Sequence, residues 1–166
     1  MSLFDRGMVA LALSEHLPQR HEFVGHYTFL CICSTTDGVC AGAYDGFVYL
    51  FSPKLERLRV VDLNPPGLFA GEVYCCLPAL ENVLLGCECG CLHRLSALSS
   101  VSSTRNDVVK IFFSSIFCLR FTSDGSLLCA GVDYGVDVLC ATSFTSIFRI
   151  PSVDSVWSIS ARPGSD

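Results

Sequence analysis

One pattern recurs three times along the sequence, and this internal repeat constrains the fold more than any other feature. The copies read FLCICSTTDGVCAGAYDGFVYLF, VYCCLPALENVLLGCECGCLHRL and IFCLRFTSDGSLLCAGVDYGVDVLC, beginning at Phe29, Val73 and Ile116. A glycine follows the alternating stretch in every copy, and these markers lie 44 and 45 residues apart, at Gly46, Gly90 and Gly135. A fourth copy begins with VWSIS at Val156. A fixed period of this length indicates a repeat architecture in which each unit is one supersecondary structure.

Each copy has the pattern of short antiparallel strands. A first alternating strand leads to a polar turn, which is Asp37-Gly38, Glu81-Asn82 or Asp124-Gly125. A second strand ends on a small pair, which is Ala41-Gly42, Leu85-Gly86 or Ala130-Gly131, and a tight turn leads into a third strand. A fourth strand follows, as in LRVVDL and SIFRI. Helical periodicity is hard to find, so we predict an all-β protein built from four-stranded antiparallel units.

Four strands per unit at this period resemble the blades of the WD40 β-propellers. The first copy matches best, because Gly25-His26 precedes its first strand and Asp45-Gly46 occupies the turn between its second and third strands. The resemblance implies that His26 and Asp45 hydrogen-bond within the blade and tie it together. The copies are degenerate, since Phe51 stands where the family has tryptophan and the other copies lack the Gly-His pair and the turn aspartate.

The repeats divide the chain into an N-terminal segment, 1–24, and WD40-like repeats over 25–166. We predict blades over about 25–68, 69–110 and 111–152, with a partial blade over 153–166. The apolar run MVALAL in the N-terminal segment can add an outer closing strand to the last blade. Three and a half blades are fewer than common rings need, so we expect an incomplete or open ring whose uncovered blade faces make the isolated chain associate.

The stretch GCECGCLHRL, with cysteines at alternate positions, suggests a metal or redox site at first sight. The repeat weakens that interpretation, because other copies carry different residues in the same columns: Cys87 aligns with Ala43 and Val132, Cys89 with Asp45 and Tyr134, and Cys91 with Phe47 and Val136. Their spacing also lacks the paired arms of a zinc site. We therefore expect the eleven cysteines to be free thiols packed in the core. A cysteine-rich redox or metal-binding protein is the alternative.

The chemistry-bearing residues form no catalytic pattern. The sequence has no G-x-S-x-G elbow and neither glycine-rich phosphate-binding motif, and His16, His21 and His26 recur at a spacing that does not converge on a metal. We expect no enzymatic activity and no cofactor or metal. The net charge of −5 and eleven scattered basic residues argue against direct nucleic-acid binding. No apolar stretch reaches membrane-spanning length, so we expect an intracellular protein, nuclear or cytoplasmic, without membrane attachment.

Three aromatic residues are candidate anchors for a protein partner. Tyr44 and Tyr134 fall in or beside the turn between the second and third strands, which lies on one rim of a propeller, and Trp157 opens the fourth copy. Exposed aromatic side chains at such positions are typical of binding hot spots. Packing against the adjacent blade is the alternative role for the same side chains.

A second, narrower resemblance concerns the stretch FVYLFSPKLERLRVVDLNPPGLFAGEVYCCL, followed by LLGCECG and later by AGVDYGVDV. These segments are similar to a WD-repeat subunit of the THO complex, which acts in nuclear mRNA packaging and export. The resemblance implies a nuclear complex subunit without catalysis of its own. Together, the observations favour a non-enzymatic scaffold that mediates protein–protein interactions in a multi-subunit complex.

Overall fold

The computed structural model describes residues 28–64, 70–96 and 105–160, which form twelve strands in three four-stranded antiparallel sheets. The first blade contains β1 (Phe29–Thr35), β2 (Gly38–Ala43), β3 (Phe47–Phe51) and β4 (Arg57–Asp62). The second contains β5 (Val73–Ala79), β6 (Asn82–Cys87), β7 (Cys91–Ser96) and β8 (Arg105–Ile111). The third contains β9 (Ile116–Phe121), β10 (Leu127–Val132), β11 (Gly135–Cys140) and β12 (Ser146–Pro151). The all-β prediction is therefore confirmed.

The strands in each sheet follow one another in chain order, as the repeat predicts. The described part of the chain contains no helix, and so no helix there is long and apolar enough to cross a membrane. The three blades form an open arc within these ranges, in agreement with the predicted unclosed ring. The predicted N-terminal segment 1–24 and His26 lie outside the described residues.

The turns between second and third strands differ slightly among the blades. Gly46 and Gly90 have φ angles of 80° and 81°, a left-handed conformation that glycine adopts at no steric cost. In the third blade Val132 pairs directly with Gly135, so its turn is one residue shorter and Tyr134 takes the left-handed conformation with φ 59°. The second strands also continue one residue beyond the predicted small pairs. The turn columns of the repeat are otherwise found at the expected places.

The first strand of every blade carries a β-bulge at the same position. The pairing register skips one residue near the start of β1, β5 and β9, namely Leu30, Tyr74 and Phe117. A bulge leaves the extra residue unpaired and redirects its side chain. Simple strand alternation does not predict this irregularity, and it sets the direction of three side chains that matter below.

The core lies between the blades. Val48 and Leu50 of the first blade pack against Val83, Leu85 and Leu95 of the second. The second and third blades meet in an equivalent cluster, which contains Leu84, Leu92, Leu119, Leu128 and Leu139. The two faces of the second blade contribute to different clusters. A strand that is buried on both faces has apolar residues in succession, so its sequence does not alternate strictly between apolar and polar residues.

Three cysteines at equivalent positions of the repeat contact the backbone of the next repeat. The thiol of Cys31 lies 3.3 Å from the carbonyl oxygen of Val73 in the next blade. The same contact recurs from Cys75 to Ile116 at 3.7 Å and from Cys118 to Val156 at 3.4 Å. Cys31, Cys75 and Cys118 align in the repeat, and this column of the first strand is a contact with the next repeat in which each thiol donates to a backbone carbonyl.

The prediction that the cysteines are core residues is wrong for one of them. Cys89 is exposed, because it occupies the turn between β6 and β7, where the other blades have Asp45 and Tyr134. The other ten are buried or half-buried, with Cys40, Cys75 and Cys87 fully inside. The aligned columns place Cys89 at a turn, and its side chain there is open to solvent.

Candidate partner-binding surface

The first-strand starts and the second-to-third-strand turns lie at the same edge of each blade. Antiparallel pairing places Val73 at the start of β5 opposite Cys87 at the end of β6. Backbone hydrogen bonds close this edge: the Tyr44 N–H donates to the Thr28 carbonyl at 3.0 Å, and the Glu88 N–H donates to the Glu72 carbonyl at 2.8 Å. We call this edge the inner rim, comprising 28–30 and 44–46, 72–74 and 88–90, 116–117 and 133–135, and 156–157.

Three aromatic rings converge on the inner rim from successive repeats. The ring centroid of Phe117 lies 4.2 Å from that of Trp157 and 5.4 Å from that of Tyr74. The centroids of Tyr74 and Trp157 are 6.2 Å apart, so the rings form a triangle rather than a line. We call these three residues the aromatic cluster. Rings at such distances attract each other through their quadrupoles and hold a defined geometry.

The aromatic cluster follows from the repeat and the bulges together. Tyr74, Phe117 and Trp157 immediately precede the aligned column of Cys75, Cys118 and Ser158. The bulges at Tyr74 and Phe117 give both side chains the same direction, and Trp157 holds the equivalent position in the next repeat. Sequence reasoning identified Trp157 but missed its two partners, although their column could be read from the aligned copies.

The aromatic cluster has carboxylates beside it. The Glu88 Oε2 accepts a hydrogen bond of 3.4 Å from the Glu72 backbone N–H, which places the Glu88 carboxylate beside the residue that precedes β5. The pKa of Tyr74 is raised to about 12, first by burial, then by the charges of Glu72 and Glu88 and a hydrogen bond to Glu72. Asp133 accepts a 2.6 Å hydrogen bond from the hydroxyl of Ser155, two residues before Trp157.

The predicted anchor residues are all exposed at the inner rim. The exposed fractions are 54% for Tyr44, 65% for Tyr134 and 64% for Trp157. The phenol of Tyr44 is near enough to Tyr74 to contribute electrostatically to its raised pKa, and Trp157 is part of the aromatic cluster. Tyr134 lies at the equivalent turn of the third blade. Their role in partner binding stays a prediction.

The predicted blade tie between His26 and Asp45 stays a prediction as well, since His26 lies outside the described residues. Asp45 itself stabilises its turn, because its Oδ1 accepts a 3.3 Å hydrogen bond from the Phe47 N–H. Asn64 adds a link that the sequence did not suggest. Its amide nitrogen lies 3.4 Å from the Asp45 carbonyl, and its oxygen accepts a 2.8 Å hydrogen bond from the Ala70 N–H.

The thiols form a second cluster, between the first and second blades. Cys33 and Cys40 are directly opposite each other on β1 and β2, and Cys76 of β5 packs against them. Hydrogen bonds from Cys40 and Cys76 lower the pKa of Cys33. The hydrogen bond to Cys33, together with burial, raises the pKa of Cys40, and hydrogen bonds to Cys31 and then Cys33, together with burial, raise the pKa of Cys76. Within the described ranges no group of three or more His, Cys, Asp and Glu side chains is arranged to hold a metal ion.

Similar arrangements of blades are found among solved structures. A chain of the mitotic checkpoint complex aligns with a TM-score of 0.67 at 18% identity, covering 81% of this chain. The WD40 repeats of RRP9 align with a TM-score of 0.62 at 14% identity over 79% of this chain. The chain has the blade fold of the WD40 β-propellers. The β-propeller domain of Myceliophteria thermophila Cps50 (Swd1) is similar too, with a TM-score of 0.58, 12% identity and 77% coverage.

The likeness concerns part of each larger propeller. This chain covers 42% of the mitotic checkpoint chain, 41% of the RRP9 chain and 45% of the Swd1 chain. No protein-family model matches the sequence, and neither does any curated protein. The comparisons therefore establish the fold, and the role of the inner rim has to be argued from its own residues.

Proposed function

We propose that the chain is a non-enzymatic scaffold that binds protein partners at its inner rim. The observation that carries the proposal is the aromatic cluster, in which Trp157 stays 64% exposed while its ring contacts Phe117 and Tyr74. Rigid aromatic side chains that are fixed by neighbours and open to solvent lose little conformational entropy on binding. Tryptophan and tyrosine are also the residues most enriched among binding hot spots.

The position of the aromatic cluster supports a binding role over a purely structural one. The blades are already held together by the apolar clusters between their sheets and by the recurring thiol contacts. An exposed tryptophan at the rim adds little to that core. Tyr44 and Tyr134 extend the exposed aromatic surface to the turns of the first and third blades. The surface thus spans several repeats, as expected for a partner that lies across the rim.

The proposed setting is a multi-subunit assembly. One of the similar structures is a chain of the mitotic checkpoint complex, which is consistent with a role in an assembly of several proteins. Sequence segments around FVYLFSPKLERLRVVDL resemble a WD-repeat subunit of the THO complex. This resemblance makes a nuclear mRNA-export assembly the first specific hypothesis for the partners, with no catalytic role for this chain.

Affinity purification from cells tests this proposal. The tagged chain is isolated from nuclear and cytoplasmic fractions, and the recovered proteins are identified by mass spectrometry. We expect a stable set of protein subunits in fixed ratios, with THO components among them in the nuclear fraction. Recovery of subunits from another assembly would refute the THO hypothesis but would still support the proposal that the chain is a scaffold. Recovery of the chain alone, at endogenous expression and low salt, would refute the scaffold itself.

A further inference from the structure

The inner rim combines exposed aromatic faces with negative charge, and this combination narrows the chemistry of the partner. Glu72 and Glu88 lie at the Tyr74 side of the aromatic cluster, and Asp133 lies at the Trp157 side. Asp45 adds a further carboxylate at the turn of the first blade. Ring faces carry partial negative charge, so the rings and the carboxylates both favour a positively charged ligand.

Among the described residues, the recorded ion pairs of the basic side chains involve carboxylates other than Glu72 and Glu88. Arg149 reaches the inner rim from β12, but its guanidinium donates to the Asp133 carbonyl oxygen at 2.6 Å and lies 3.7 Å from the Asp137 carboxylate. Arg94 on β7 and Arg105 on β8, the third and outermost strands of the second blade, are both engaged by Asp107 of β8. Within the described residues, no basic side chain is paired with Glu72 or Glu88 in a salt bridge.

We propose that the inner rim recognises a cationic side chain, arginine or lysine, presented by an extended segment of the partner. The cation would lie over the exposed face of Trp157 or Tyr74, with Glu72 and Glu88 within reach of its N–H groups. Arginine fits this surface best, because its planar guanidinium stacks on an aromatic ring and donates to carboxylates at the same time. The inference rests on the proposed partner-binding function of the inner rim and specifies its ligand.

The chain contains a single tryptophan, so its fluorescence reports on the proposed site directly. The probe is a blocked pentapeptide with one arginine among alanines, titrated into the full chain while Trp157 emission is followed. Matched peptides carry glutamine or glutamate at the central position. We expect the arginine peptide to bind roughly tenfold more tightly than the glutamine peptide, since cation–π attraction and the carboxylates act together. We expect the glutamate peptide to bind most weakly.

Charge-removing substitutions test the role of the carboxylates. Glu72→Gln with Glu88→Gln preserves the size of both side chains, and we expect it to reduce the preference for arginine to within roughly threefold. High salt should reduce the preference in the same way, because the carboxylates are near the surface. Phe148→Ala, which removes an exposed ring on the outer strand β12, should leave the preference unchanged. Circular dichroism of each variant verifies that the strands are retained.

Three results would overturn the inference: equal affinity for the arginine and glutamine peptides, tighter binding of the glutamate peptide, or an unchanged preference in the Glu72 and Glu88 variant. Its failure can be told apart from failure of the proposed function. If Trp157→Ala releases the cellular partner while the peptides bind equally, the rim binds a partner by other chemistry. If Trp157→Ala leaves the partner in place, the proposed function of the inner rim is wrong.

Discussion

Replacing Gly86 with alanine tests the close approach of the second and third blades. A Cβ atom at Gly86 would lie 2.6 Å from the Cys75 Sγ and 2.6 Å from the Ile116 Cγ2. Ordinary van der Waals contacts of a Cβ begin at 3.4 Å, so both neighbours would have to move by about 0.8 Å. Cys75 lies on the adjacent strand and Ile116 on the next blade, so the added methyl group would displace both the neighbouring strand and the neighbouring blade.

The size of the effect follows from two opposing contributions. An extra carbon forced into a packed interior costs about 1–3 kcal/mol. Alanine in a strand is favoured over glycine by about 0.5–1 kcal/mol, because the unfolded chain loses less conformational entropy on folding. Taking the middle of each range, we expect Gly86→Ala to reduce the free energy of unfolding by about 1 kcal/mol. A change of this kind is a sizeable fraction of the stability of an ordinary domain.

Urea unfolding followed by circular dichroism measures this change. The matched control is Gly125→Asn, because nothing lies within 4 Å of a Cβ at Gly125 and asparagine tolerates its φ of 72°. We expect the control to stay within about 0.5 kcal/mol of the unmodified chain. If Gly86→Ala proves as stable as the unmodified chain or more so, the blades do not approach each other as closely as described.

Three further predictions concern titration, thiol reactivity and association. His93 is buried with its Nδ1 2.9 Å from the Asn106 Oδ1, and burial lowers its pKa, so the unfolded state binds a proton first as the pH falls below about 6.5. Urea titrations should show that the free energy of unfolding falls from pH 7 to pH 5 in the unmodified chain and falls less in His93→Leu. An equal pH dependence of the free energy of unfolding in the two chains would contradict this prediction. Hydrogen bonds from Ser143 and Thr142 lower the pKa of Cys140 to about 6, so mass spectrometry should find it alkylated before Cys129, whose pKa burial raises; the reverse order would contradict the local geometry. The isolated chain should sediment as a species larger than 18.0 kDa, since among the described residues the first and third blades each have a neighbouring blade on one side only, and a monodisperse monomer would refute the expected association.

The repeat made the blades predictable. Marker glycines at a constant period fixed the turns, and the small pairs located the ends of the second strands to within one residue. The fourth strands LRVVDL and SIFRI correspond to β4 and β12. Local turn chemistry and apolar runs suffice for such elements, because each blade is assembled from neighbours in sequence.

The candidate site was predictable only in part. Trp157 and Tyr44 were identified as exposed aromatic residues, but the cluster depends on the bulges at Tyr74 and Phe117, which interrupt the alternation that sequence reasoning assumes. Glu72 and Glu88 come together from the start of one strand and the turn after the next. Pairing between strands sets this proximity, and a local sequence pattern does not predict it.

The most direct test of the inner rim is the recovery of cellular partners by two single-residue variants. Trp157→Ala removes the exposed ring of the aromatic cluster, and Phe148→Ala removes a ring of similar exposure, 52%, on the outer strand β12. Partners are quantified by isotope-labelled mass spectrometry after purification of each tagged chain at equal expression. If the ring is a hot spot worth about 2 kcal/mol, Trp157→Ala weakens the partner's affinity roughly thirtyfold and Phe148→Ala leaves it unchanged. Equal recovery with both variants and the unmodified chain would contradict the proposal that the aromatic cluster binds the partner.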